Sequence, residues 1–252
     1  MERTFSFGKD ILLIGDSTVR CLQPDPGSFD PDPRIANLGV GGARVETWKY
    51  AFRRALRSEN KFRSVVFAMS GGGQSLESAL ALSPIVPFLM EWKELFEEVR
   101  NGRIRFSELP RILVSFLSPL SLFNDEAIYM IGRAWNQELG LFLQSVMFGN
   151  GPQSLGAIQA DREADLKAIL AFAAENRVKV TFVNSPSSTA VRATSMAKGG
   201  RESFQSLCSK YKMRCKDLSS VLPDDHFGSD GVHVLPLMHD SFRRLLRQAA
   251  DE

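Results

Sequence analysis

The chain has 252 residues, 44% of them hydrophobic, which is enough to bury a core on both faces of a sheet. Its net charge of +2 and pI of about 8.5 are too mild for a nucleic-acid binder. No run of about eighteen uncharged apolar residues offers a membrane span. The three cysteines, Cys21, Cys208 and Cys215, lack metal-ligand spacing and suit buried thiols in a reducing compartment, with a Cys208–Cys215 disulfide as the alternative. The amino terminus has no basic region followed by an apolar core and a small-residue cleavage site, so a cytoplasmic location is expected.

The first apolar run, Ile11-Leu12-Leu13-Ile14, leads into Gly15-Asp16-Ser17 and then into a segment able to form helix. This is the pattern of a buried parallel strand that delivers a serine at its carboxyl end. Closely spaced prolines make Pro24 to Pro33 irregular. A second strand, Arg34 to Leu38, enters Gly39-Val40-Gly41-Gly42, and Ala43 to Arg57 follows as a helix. The cations of that helix (Arg44, Lys49, Arg53, Arg54 and Arg57) read as a solvated face rather than a patch for an anionic partner. Phe62 to Met69 is a third strand, ending in Ser70-Gly71-Gly72-Gly73-Gln74.

From Pro87 to Val99, Phe88, Leu89, Trp92, Leu95, Phe96 and Val99 recur at helical spacing between charged residues, an amphipathic surface helix. Arg111 to Phe116 is expected as a fourth strand. Asn124 to Phe148 is expected as a well-covered helix, through core packing or, as the sharper reading, as a lid or the surface of a homo-oligomer. Ala160 to Asn176 is another amphipathic helix, and Val178 to Val183 a fifth strand ending at Asn184-Ser185-Pro186. Arg201 to Tyr211 (helix), Met213 to Leu218 (a short edge segment) and Leu237 to Ala249 (a closing helix) complete the chain. The alternation predicts a doubly wound, flavodoxin-like α/β/α sandwich around a roughly five-stranded parallel sheet. It spans residues 1–252 as one domain, with helical insertions around 75–108 and 120–150.

Such sheets carry their active sites at the carboxyl ends of the strands, where this chain places four signals. Gly15-Asp16-Ser17 offers a hydroxyl that needs a base. Asn37 to Gly42 and Gly71-Gly72-Gly73-Gln74 offer amides to a developing negative charge. Asp230-Gly231-Val232-His233 offers an acid three residues ahead of a histidine, able to fix its tautomer and leave the other ring nitrogen facing the serine. Taken singly, each has a plain structural account: a helix cap, a strand-to-helix turn, a loop, or one of three histidines. Asp16 follows a buried strand and is expected to hold the turn rather than to do chemistry.

These blocks resemble the SGNH (GDSL) hydrolase superfamily of serine esterases and acyltransferases, over nearly the whole chain from Ile11 to the final helix. The resemblance implies Ser17 as nucleophile, His233 as base and Asp230 as its partner. It implies an oxyanion hole from the amides of Ser17 and Gly42, with Gly39 as the alternative glycine, and no metal or organic cofactor. The third block departs from the family, which has Gly-x-Asn where this chain has Gly72-Gly73-Gln74; Gln74 could present the same amide from a longer arm. Gly-Asp-Ser-x-x-Arg with Asp-Gly-Val-His is similar to the PC-esterase-like branch, which includes proteins acting on acyl groups of glycans. In that setting Arg20, one helical turn beyond Ser17, either binds an anionic substrate group or braces the loop, and Gly39, Gly72 and Gly73 border the substrate. The activity implied is hydrolysis of an O-acetyl or short acyl ester of a small molecule or glycan. O-acyl transfer to a glycan, or a catalytically weak domain that binds a glycan or a protein, stand as alternatives.

Overall fold

The structure is a computed structural model that describes residues 10–22, 34–39, 45–57, 62–70, 90–103 and 155–252. Its sheet has five parallel strands in the order β2-β1-β3-β4-β5: β1 Ile11–Gly15, β2 Ile35–Gly39, β3 Ser64–Met69, β4 Lys179–Asn184 and β5 Cys215–Asp217. This is the flavodoxin-like order, in which the chain reverses its direction of travel across the sheet between β1 and β3. The segment from Met213 to Leu218, expected only as an edge, supplies the fifth strand, and Arg111 to Phe116 lies outside the described residues.

Every residue of β1 and of β3 is buried, because each has a strand on both sides and helices over both faces. Alternation sorts their side chains. Ile11 and Leu13 share an apolar cluster with Val66, Ala68, Phe242, Leu246 and Ala249, the last three from the closing helix α7, His239–Asp251. Phe67 points the other way, 5.1 Å from Phe182 and 5.6 Å from Phe52, which in turn meets Phe172 at 5.6 Å. Phe52 belongs to α2, Val45–Arg57, and Phe172 to α4, Leu155–Glu175. The remaining described helices are α1, Ser17–Arg20; α3, Trp92–Arg100; α5, Thr189–Ala193; and α6, Ser195–Lys210. Among the described residues no helix is long and apolar enough to cross a membrane.

Two surface expectations are corrected. Lys49 is buried rather than part of a solvated face, because Asp165 of α4 meets its ammonium at 2.6 Å. In α3 the inward face is Glu94, Leu95 and Glu98, while Trp92 and Phe96 are 52% and 60% exposed. Arg103 pairs with Glu98 at 3.4 Å, and Glu94 caps the helix by accepting from the Glu91 amide at 2.9 Å.

The chain divides into two compact units, Met1–Ser78 with Gln159–Glu252, and Ala79–Ile158. The first holds the whole sheet. The second takes in much of the two stretches expected as helical insertions and contributes α3. At the amino-terminal edge of the sheet, Arg34 and Arg63 both pair with Asp10 and with Asp251, tying the starts of three strands to the end of α7. These groups are 35–57% exposed, so each pair adds little by itself.

Cys208 and Cys215 form a disulfide, which corrects the expectation of three thiols. The cause is local: α6 ends at Lys210 and the chain turns straight into β5, bringing the two Cα atoms within 6.1 Å. Closing so short a loop is worth about 2–3 kcal/mol through the unfolded state. Cys215→Ser should therefore unfold at lower urea concentration, and wild-type protein unfolded without reductant should take up one alkyl group, on Cys21.

Candidate active site

Ser17 opens α1 at the carboxyl end of β1, next to the point where the strand order reverses. It is half-buried, and among the described residues its amide and hydroxyl make no hydrogen bond. A free first-turn amide is the usual state at a helix start. The turn itself is held by Asp16. Its Oδ1 accepts from the Thr18 amide at 2.9 Å and the Thr18 hydroxyl at 2.8 Å. Its Oδ2 accepts from the amide and hydroxyl of Ser70, both at 2.8 Å. Asp16 is 4% exposed, and four donors make that burial tolerable.

Asp230 and His233 are brought together on the tip of a hairpin. Phe227 bridges Val234, the Gly228 amide donates to the His233 carbonyl at 2.9 Å, and the Gly231 amide donates to the Gly228 carbonyl at 2.9 Å. Within that tip Asp230 Oδ1 accepts from the amides of Val232 (2.9 Å) and His233 (3.0 Å), while Oδ2 lies 2.5 Å from His233 Nδ1. Partial burial pushes the Asp230 carboxyl up, but the His233 ring and the two amides outweigh it and hold the group down at about 2. A carboxylate only accepts, so Nδ1 carries a proton, and in the neutral ring Nε2 is the nitrogen with the lone pair. The other histidines are otherwise engaged: His226 Nδ1 lies 2.9 Å from Asp225, and His239 Nε2 lies 3.1 Å from the Val234 carbonyl.

Serine turn and histidine hairpin both contribute to one apolar cluster. Val19 and Leu22 share an apolar cluster with Phe227 and Val234, and Arg243 of α7 donates to the Leu22 carbonyl at 2.6 Å. Among the described hydrogen bonds none joins Ser17 to His233. Cys21, one turn beyond Thr18, is no rival nucleophile. Burial, then the Asp16 charge, push its thiol up to about 11, and the Asp230 charge adds in the same sense.

Of the remaining expected residues, Arg20 is exposed, and its side chain makes no described hydrogen bond or ion pair. Gly39 is described, and its part is a brace. Its amide donates to Asn37 Oδ1 at 2.8 Å, Asn37 Nδ2 donates to the Val19 carbonyl at 2.9 Å, and a Cβ at Gly39 would run into the Arg20 amide nitrogen and the Val19 carbonyl carbon. With its amide committed, Gly39 packs β2 against α1. Gly42, Gly72, Gly73 and Gln74 lie outside the described residues. The sequence marks Ser185 only as part of the end of a strand and gives no role to Ser187 and Ser188; all three are buried at the exit of β4. The available signal was a run of small polar residues around Pro186 at a strand end.

No family model matches the chain, and no curated protein matches its sequence. Among solved structures, a candidate acylhydrolase of Bacteroides fragilis overlaps it with a TM-score of 0.47 at 13% identity, covering 95% of this chain and 85% of that one. A catalytic mutant of an acetylxylan esterase of Geobacillus stearothermophilus gives 0.46 at 12%, covering 96% and 94%. A GDSL-like lipase of Bacteroides thetaiotaomicron gives 0.44 at 10%, covering 96% and 89%. Likeness this loose transfers neither an activity nor site residues.

The Asp230 geometry has a direct readout. Because its carboxyl is held at about 2 rather than the ordinary 3.8, the Asp230–His233 pair contributes its full stability above about pH 4 and loses it as pH falls through about 2. The carboxyl carbon of Asp230, followed by NMR, should titrate near 2 in the wild type and move toward 3.8 in His233→Ala.

Proposed function

We propose that the chain is a serine ester hydrolase that works through an acyl-enzyme, with Ser17 as nucleophile, His233 as general base and Asp230 as the group that orients and stabilises the imidazolium. One observation carries the reading: the 2.5 Å contact of Asp230 with His233 Nδ1, on a hairpin whose Phe227 and Val234 belong to the same apolar cluster as Val19 of the helix that Ser17 opens. It leaves Nε2 as the proton acceptor. Closing the gap between Nε2 and the Ser17 hydroxyl on substrate binding completes the relay, as catalytic hydrogen bonds commonly tighten only in the Michaelis complex.

Ser17 Oγ attacks the ester carbonyl as His233 takes its proton; the C–O bond to the alcohol then breaks, and the proton returns to the departing alkoxide. Water, deprotonated by the same nitrogen, releases the acid. The oxyanion is met by the Ser17 amide, with Gly42 and Gln74 as the further donors this reading assigns. The substrate class is an O-acetyl or other short acyl ester, on a small molecule or a glycan, and Arg20 beside Ser17 favours one with an anionic group. The Cys208–Cys215 bond favours an oxidising compartment over the cytoplasm expected from the amino terminus.

A fluorophosphonate probe should label the wild type at Ser17, fail to label Ser17→Ala, and label His233→Ala only weakly, with hydrolysis of p-nitrophenyl acetate lost in parallel. Labelling that persists in Ser17→Ala, at Ser70 or Ser185 for example, overturns the assignment. Arg20→Ala should raise KM for an ester bearing a carboxylate by up to about fivefold, as suits an exposed charge pair, and leave a neutral ester unaffected. Equal effects on the two esters would show Arg20 to be a brace.

A further inference from the structure

Beyond the three side chains of the proposed relay, the spacing between nucleophile and base needs a physical cause. The apolar cluster that joins α1 to the hairpin is non-directional and by itself sets no register. We infer that Ser185-Pro186-Ser187-Ser188, the exit of β4, is a rigid bridge that sets the position of His233 relative to Ser17, with Ser188 and Gly231 as positioning residues. This rests on the roles proposed for Ser17 and His233.

One end of the bridge sits on the serine turn. The Ser185 amide donates to the Met69 carbonyl at 2.7 Å, and its hydroxyl meets the Thr18 hydroxyl at 3.3 Å, which in turn donates to Asp16. The other end sits on the histidine hairpin. The Ser188 amide donates to the Gly231 carbonyl at 2.8 Å, and the Ser188 hydroxyl accepts from the Val191 amide at 3.4 Å as the cap of α5. Gly231 stands between Asp230 and His233 at φ +68, where a Cβ would collide with Ser188 Oγ and lie 2.9 Å from Val191 Cγ2. Only glycine lets the hairpin tip seat this closely on the cap.

Between the two ends the segment cannot drift. The Ser187 amide donates to the Ser219 carbonyl at 3.1 Å, and the Arg192 guanidinium donates to the carbonyls of Ser187 and Ser219 and, at 2.8 Å, to the Thr189 hydroxyl. Pro186 fixes its own φ and restricts the residue before it. All four bridge residues are buried. Buried hydroxyls and amides are costly unless paired, so so polar a segment persists there because its partners are in place. Two of those partners, Thr18 and Gly231, belong to the two elements whose separation the reaction depends on.

The test is a steric suppressor pair with two readouts: kcat and KM for p-nitrophenyl acetate, and the downfield proton resonance of His233 Nδ1–H, which reports the Asp230 contact whether or not the protein turns over an ester. Gly231→Ala should lower kcat by about a hundredfold, the usual cost of displacing a catalytic group by roughly 1 Å, with KM little changed and the Nδ1–H resonance lost. Adding Ser188→Gly together with Val191→Ala removes the colliding atoms, Ser188 Oγ and Val191 Cγ2, at little cost to the cap and should restore most of both signals. If Gly231→Ala does not fold, Pro186→Ala serves instead. It keeps both anchors and frees the chain between them, and it should lower kcat at constant KM and speed solvent exchange of Nδ1–H.

An unchanged resonance and kcat in Gly231→Ala, or in Pro186→Ala where that variant stands in, overturns the bridge. So does a loss that Ser188→Gly with Val191→Ala fails to restore, since the effect would then be backbone strain at Gly231. A wild type that cleaves no ester, yet loses and regains the resonance as described, overturns the hydrolase reading and leaves the bridge standing.

Discussion

The buried carboxylate of Asp16 is the constraint from which the rest of the site follows. A charged group at 4% exposure is tolerable only if both oxygens are fully engaged, and here the donors come from two places: Thr18, one residue beyond the serine, and Ser70, at the end of β3. The first pair of bonds starts α1 immediately after β1 and so decides which way Ser17 faces. The second pair ties that turn to the neighbouring strand end. Removing either set would leave a half-satisfied buried charge, so the two are coupled, and the geometry of Ser17 becomes a property of the sheet rather than of a loop.

The histidine side has a different logic. Asp230 and His233 are about half exposed, and their mutual geometry is set between Phe227 and Val234 by a hairpin tip whose backbone amides point at the same carboxylate as the ring. That arrangement fixes the tautomer locally but says nothing of where the pair sits on the protein. Its placement comes from Phe227 and Val234, which anchor the hairpin's base in the apolar cluster that also holds Val19 and Leu22, and from the Ser188–Gly231 contact. A locally rigid acid–base pair and a globally rigid serine therefore meet through long-range contacts of a few residues each.

Much of this was legible in the sequence because it rests on local rules. The run Ile11 to Ile14 has the length and apolarity of a central parallel strand, and the spacing Asp230-x-x-His233 suits a turn in which the acid reaches both the amides and the ring. The parallel, flavodoxin-like sheet, too, follows from alternation with helices, although its fifth strand reads in the sequence only as a short edge segment. What escaped the reading depends on pairings that no local pattern records. Lys49 looks like one cation of a solvated stripe until Asp165, more than a hundred residues later, is brought against it. Gly39 looks like an oxyanion glycine until the Asn37 side chain is seen to take its amide. Ser185 and Ser188 look like ordinary loop serines, because their value lies in what they touch: Thr18 in one direction and Gly231 in the other.

The shortest strand carries a disproportionate share of the site's stability. β5 has three residues, stands at the edge of the sheet and is nowhere fully buried, so strand pairing with β4 alone would be weak. Yet the chain that leaves β5 supplies Ser219 to the bridge, Asp224 to the Thr189 amide at 2.7 Å, and then the histidine hairpin itself. Three devices compensate for its shortness. The disulfide ties its first residue to α6, Asn184 donates to Asp217 Oδ1 at 2.9 Å, and Arg201 meets the other oxygen of Asp217 at 2.6 Å. Burial pushes the Asp217 carboxyl up, but hydrogen bonds from Ser219 and Asn184, together with the Arg201 charge, prevail and hold it below the ordinary range, so these ties stay intact throughout the neutral range of pH. An edge strand too short to hold its own register is thereby made a fixed post. The hairpin that hangs from it can present His233 from a defined point, although nearly half of that side chain is open to solvent.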